Sequence, residues 1–267
     1  MSYHWCQSSS YCIYVSDNIN LTGNSYMAGI SYINMTDNTI KRFNHICPPK
    51  FKDSVNTKHT ENAHYYESKS KRQKYTGITT LLSKTSDKVD GLNKWRKGMD
   101  AKFGGAGAAR YIMVNAGIIG TAVHTVVEEY LKNEYDVEKK RALLVQGHFD
   151  NLKPLLDKID NIHFNEVPLI SNDLRVGGTC DCIAEYDGKL SIIDFKTARS
   201  DSKKRYSHDY RLQATAYSIM YEELTGIKID QGVILMTSEE GGQFEIIFDV
   251  NDYKDELLER VDKYHKQ

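Results

Sequence analysis

At 267 residues, of which 40% are hydrophobic, the chain can bury a sizeable core and suits one globular domain with additions. A formal net charge of −1 lacks the basic excess common in nucleic-acid binders, so contact with a polyanion would have to come from local clusters. No uninterrupted apolar run approaches the roughly 18 residues of a spanning helix, and no Lys or Arg precedes Lys41, which argues against membrane insertion, a signal peptide and an Arg-rich transit peptide. A cytoplasmic location follows by default.

In chain order, residues 1–40 are rich in Ser, Asn and Tyr without periodicity and are expected to form a poorly ordered extension, leaving 41–267 as the folded domain. Basic clusters follow at Lys69, Lys71, Arg72 and Lys74, and at Arg199, Lys203, Lys204, Arg205 and Arg211. Apolar spacing predicts helices near 88–99, 106–133 and 138–160, then strands near 163–170, 174–186 and 189–197. A helix from about 210 to 225, stopped by Gly226, precedes strands near 231–237 and 243–249 and a final helix over 251–265. This order predicts an α/β fold, a mixed sheet flanked by helices.

The most informative stretch is the hairpin around Asp187-Gly188, a dipeptide that favours a two-residue type I′ turn. Pairing Tyr186 with Lys189 sets Asp181 opposite Asp194, with Cβ atoms about 4.5–5.5 Å apart. Two carboxylates at that separation repel, and a hard divalent cation would resolve the repulsion. Lys196, two residues beyond Asp194, shares its face. Apolar residues on both sides of this strand argue that it is buried, and a lysine in such surroundings comes with a charged partner or a function. Cys180 and Cys182 fall on the face opposite Asp181 and read as small buried hydrophobes.

The order Asp181, strand, Asp194-Phe195-Lys196 resembles the PD-(D/E)XK nuclease superfamily. Three further segments narrow the resemblance to its RecB-like branch. Gly120-Thr121-Ala122-Val123-His124 is similar to that branch's G-T-x-x-H helix, and Glu166-Val167-Pro168-Leu169 with Gly178-Thr179-Cys180-Asp181 to its E-x-P-L and G-x-x-D strands. Gln213-Ala214-Thr215-Ala216-Tyr217 resembles its Q-x-x-x-Y helix. Within the branch, Tyr75 through Lys97 is similar to the leading segment of tailed-phage exonucleases related to the animal mitochondrial genome maintenance exonuclease. Cys180 stands where the superfamily's name has proline.

The resemblance implies a restriction-endonuclease-like core. It also implies a Mg²⁺ or Mn²⁺ site made by His124, Asp181, Asp194 and the Phe195 carbonyl, with Asp181, Asp194 and Lys196 catalytic. Gln213, Tyr217, Glu166 and Glu128 are the expected substrate-side residues. Each has a plainer reading: His124 and Glu128 as an i, i+4 helix pair, Tyr217 as core packing, Glu166 as a strand-end carboxylate. None of the five cysteines follows the Gln213 helix, so no iron–sulfur cluster is expected. The implied activity is a metal-dependent exonuclease acting on single-stranded DNA or single-stranded ends in replication, repair or recombination. For a phage enzyme that setting is the host cell, with replication or recombination proteins as further partners. A structure-specific endonuclease of the same superfamily and a non-catalytic DNA-binding relative are the alternatives.

Overall fold

A computed structural model describes residues 40–266 apart from 54, 61–62, 87–88, 106 and 203–206. The extension and the basic trio Lys203, Lys204 and Arg205 therefore lie outside the described residues. Contacts group Arg42–Gln267 as one unit.

The hairpin forms as its turn residues dictate. Asp187 (φ 49°) and Gly188 (φ 77°) both adopt the positive φ of a type I′ turn. They join β5 (Val176–Tyr186) to β6 (Lys189–Ala198), which pair antiparallel from Tyr186 and Lys189 to Cys182 and Ile193. Along its other edge β5 pairs with β4 (Ile159–Ser171), again antiparallel. On the far side of β6 lies parallel β7 (Gln231–Ser238), followed by antiparallel β8 (Gln243–Asp249).

Three short strands that the sequence reading missed extend the other side. β1 (Val55–Thr60), β2 (Ala63–Ser68) and β3 (Lys74–Gly77) form an antiparallel meander, and β3 joins β5 in parallel at Val176 and Gly177. Their alternation is weak and no Gly or Pro marks the β1–β2 turn, so neither usual hairpin signal is present. Because β4 runs along one edge of β5, β3 and β6 must share the other. Between them Gly178–Asp181 has no ladder partner on that edge among the described residues. The sheet is thus mixed, eight-stranded, and open just where Asp181 and Asp194 meet.

Helices flank it. After β3 comes α1 (Ile78–Thr85), also missed, then α2 (Val89–Lys102), α3 (Ala108–Leu131) and α4 (Leu143–Leu156). The expected helix over 138–160 is shorter at both ends. Arg141 ties down the preceding turn through the Asp136 and Lys139 carbonyls, and β4 begins at Ile159. α5 (His208–Thr225) buries Leu212, Ala216, Tyr217, Met220, Tyr221 and Leu224 against the sheet and stops at Gly226, whose φ of 81° suits glycine. The expected last helix begins as a short 3₁₀ turn and continues as α6 (Lys254–His265).

By length and composition α3 could cross a membrane, contrary to the sequence expectation. Counting uninterrupted apolar runs missed it, because a window average tolerates Asn115, Thr121 and His124. The C-terminal half of α3 is seated in the fold, with Val123, Val126, Val127, Tyr130 and Leu131 buried.

Candidate active site

Where β5 and β6 part, a side chain takes over from the backbone ladder. The Phe195 N–H donates to Asp181 Oδ2 at 2.8 Å, so the carboxylate ties the strands together while its other oxygen stays available. Asp194, on the same strand as Phe195, is 0% exposed. Its Oδ2 forms an ion pair with the Lys196 ammonium, while Oδ1 has no hydrogen-bond partner among the described residues. Such a buried oxygen is costly unless something positive completes it.

His124 reaches the same point from α3. Gly120, one turn earlier, permits the close approach, since a Cβ there would lie 3.3 Å from Thr197 Oγ1 on β6. The imidazole Nε2–H donates to the Phe195 carbonyl at 3.0 Å. Its Nδ1 faces Glu166 Oε1 at 3.7 Å and Asp181 Oδ2 at 3.8 Å. Glu166 adopts a φ of 50° within β4, a conformation that costs on the order of 1–3 kcal/mol for a residue with a side chain. One ligand atom from each of His124, Glu166 and Asp181 lies within 4.8 Å of the others.

The electrostatics follow from burial and mutual proximity. Burial pushes the Asp194 carboxyl up to about 6, with Lys196 opposing and Asp181 adding to the rise. Burial raises Asp181 as well, opposed by Lys196 and His124. For Lys196 burial works against the charged form, but Asp194 and Asp181 outweigh it and the ammonium is held more firmly than usual. His124 follows the same pattern, burial being outweighed by Glu166 and Asp181.

This donor set fits a hard divalent cation: carboxylate oxygens, a peptide carbonyl and one imidazole suit Mg²⁺ or Mn²⁺. Asp194 Oδ2 already has the Lys196 ammonium, and Oδ1, without a partner among the described residues, is free to take a further cation.

The remaining expected residues are placed less uniformly. Glu128 lies one turn beyond His124 and lines a cavity of about 480 Å³ with Gly120, Thr121, His124, Thr125 and Glu166, its carboxylate paired to Lys132 at 2.5 Å. Gln213 gives its amide to the Tyr217 hydroxyl at 2.9 Å. Tyr217 is buried against Gly178, where a Cβ would come within 2.4 Å of its ring, so its visible role is packing. Two neighbours of the site escaped the sequence reading. Tyr210 on α5 places its ring 5.1 Å from the Lys196 Nζ, and Tyr66 on β2 contacts Thr179 Oγ1 at 3.2 Å. Tyr210 sits three residues before Gln213, a helical spacing that could have flagged it. Nothing in the sequence joins Tyr66 to Thr179.

A second cavity, about 530 Å³, is lined by Thr85, Glu256, Glu259, Arg260 and Lys263. Its cations are committed to the end of α1: Arg260 donates to the Leu82 carbonyl and Thr85 Oγ1, and Lys263 to the Thr85 carbonyl.

Residues 147–264 match the PD-(D/E)XK nuclease superfamily. The chain carries a PD-(D/E)XK nuclease domain. Glu166, Asp181, Asp194, Lys196 and Gln213 of the site fall inside the matched residues, while His124 and Glu128 precede them. The chain is also similar to mitochondrial genome maintenance exonuclease 1 of three animals. Identity is 27% over 172 residues for Homo sapiens, covering 61% of this chain and 49% of that protein. For Mus musculus it is 25% over 175 residues, 64% of this chain and 52% of that protein. For Xenopus tropicalis it is 25% over 203 residues, 71% and 57% respectively. The chain therefore spans about half the length of the curated relatives it matches.

Proposed function

We propose that the chain is a divalent-metal-dependent exonuclease that hydrolyses phosphodiester bonds of single-stranded DNA or single-stranded ends, serving DNA replication, repair or recombination. The observation that carries this reading is the convergence of His124, Glu166 and Asp181 beside the Asp194–Lys196 pair, in a nuclease domain. Those four acidic and imidazole side chains, with the Phe195 carbonyl, would hold Mg²⁺ or Mn²⁺. Glu166 joins the set on geometry, although its sequence context suggested a substrate-side role. A metal bound there would polarise the scissile phosphate and acidify a water.

The chain's own groups do the rest. Lys196, kept protonated by Asp194 and Asp181, presents an ammonium that orients the attacking water or offsets the charge developing on the phosphate. Asp181 fixes the local backbone by accepting from Phe195, which in turn sets the carbonyl that His124 grips. Tyr217 and Gln213 brace the wall behind.

Substrate access belongs to α2 and the first half of α3. Phe103 (61% exposed) and Tyr111 (71% exposed) offer rings on which bases would stack, among Lys94, Arg96, Lys97, Lys102 and Arg110. Trp95 is half-buried and serves packing as well. The relatives' name as exonucleases supports a requirement for a strand end. End-labelled linear and covalently closed circular single strands, incubated with Mg²⁺ or with chelator, test this directly. Linear strands are degraded only with metal, circles survive, and blunt duplex is cut far more slowly. Rapid linearisation of circles would replace the exonuclease with an endonuclease, and cleavage in chelator would remove the metal from the mechanism.

A further inference from the structure

Lys196 stands on β6 beyond the point where β5 has left it, with only β7 pairing the backbone there among the described residues. A lysine has four rotatable carbons and a compact charge, so a catalytic ammonium has to be held in place by its surroundings. Among the described residues two groups do so. One is the Asp194 carboxylate, the other the face of the Tyr210 ring, whose centroid lies 5.1 Å from Nζ. That distance is within the reach of a cation–π interaction.

The two restraints are not equivalent. Asp194 is also a candidate metal ligand, so its oxygens are shared between the ammonium and any ion beside it. A ring face offers no lone pair to a hard cation, and its attraction for the ammonium persists whatever Asp194 is bound to. Tyr210 belongs to the first turn of α5, a helix anchored in the core by Leu212, Ala216 and Met220, which gives the ring a rigid mount. Gln213, one turn further along α5, donates its amide to Tyr217.

We propose that Tyr210 is a positioning residue for the proposed nuclease reaction, holding the Lys196 ammonium by its ring face. The ring acts and the hydroxyl does not. It is therefore Tyr210→Leu, and not Tyr210→Phe, that loosens Lys196. This rests on the function proposed above, and two readouts separate the failure of one from the failure of the other.

The first is cleavage of an end-labelled linear single strand by the full chain under single turnover with Mg²⁺, with affinity for the same oligonucleotide measured by anisotropy in Ca²⁺. Tyr210→Leu should slow the chemical step about tenfold while Kd barely moves, and Tyr210→Phe should stay within about twofold of the parent. The second needs no activity. In protein carrying ¹³C-lysine, the Lys196 side-chain methylene resonances, identified by their loss in Lys196→Arg, should be displaced by the ring current in the parent and in Tyr210→Phe and relax toward ordinary values in Tyr210→Leu. Unchanged cleavage by Tyr210→Leu, an equal loss in Tyr210→Phe, or a loss that falls on Kd would overturn the proposal, as would lysine resonances indifferent to the substitution. A parent chain that cleaves nothing yet shows the ring-current displacement would refute the nuclease reading and leave the Tyr210 contact standing.

Discussion

The two halves of α3 are built from similar residues and meet opposite fates. Toward its C-terminus Val123, Val126, Val127, Tyr130 and Leu131 are buried, and Leu131 is 1% exposed. Toward its N-terminus Tyr111, Met113, Val114 and Ile118 face outward, Ile118 being 62% exposed. The difference lies in the neighbours. In the second half Phe43 and Phe149 pack on Tyr130, whereas the start of the first is held to α2 through Asp100, which accepts from the Gly107 and Ala109 N–H groups. His124 stands at the boundary between the halves, so one helix ties a rigid candidate metal ligand to an exposed apolar and basic approach. Apolar composition signals burial in one half and, in the reading proposed here, contact with bases in the other.

The hardest test concerns the buried site on β6 against which the packed half of α3 is seated. Asp194→Asn should abolish cleavage, a loss of at least roughly a thousandfold, and should also abolish any rise of melting temperature on adding Mg²⁺ or Mn²⁺. An active Asp194→Asn enzyme would detach the buried site from catalysis. Lys196→Ala comes next, with about a hundredfold to a thousandfold loss of rate and little change in DNA affinity, because its charge matters most in the transition state. Equal losses in both would make it a phosphate-binding lysine.

The contrast between the halves has its own measurement. Leu131→Ala, in the packed half, should cost about 2–5 kcal/mol of stability by denaturant titration. Ile118→Ser should stay within about 0.5 kcal/mol. Tyr111→Ser should leave stability alone and weaken single-strand binding by about 1–3 kcal/mol. Comparable destabilisation by Ile118→Ser and Leu131→Ala would mean that the outer half is covered after all.

Smallest is the pH dependence. The folded Asp194 pKa of about 6 lies above its unfolded value, so between roughly pH 4 and 6 the folded state holds a proton that the unfolded chain has released. Metal-free protein should therefore lose stability as pH rises through that window, and Asp194→Asn should flatten the trend. Added Mg²⁺ should stabilise more at pH 7 than at pH 5, since ligation requires the ionised carboxylate. A metal effect independent of pH would place the ion elsewhere.

Much of the site was legible in the chain itself. Asp187-Gly188 allows a two-residue turn, side chains alternate along strands, and so Asp181, Asp194 and Lys196 converge on local geometry alone. The long helices and central strands were legible for the same reason, because their periods repeat over many residues. β1–β3 and α1 were not: β1 and β2 pair only within a short local meander, and β3, through which that meander joins the sheet, pairs with β5 about a hundred residues away. Tyr210 over Lys196, Tyr66 on Thr179, and the turn of Glu166 toward His124 and Asp181 were decided only by tertiary structure. Each joins side chains whose meeting depends on how whole elements dock, and packing of this kind leaves no periodic trace in the sequence. The outward half of α3 makes the same point in reverse, since its residues spell a buried helix and only the lack of a covering layer among the described residues shows otherwise.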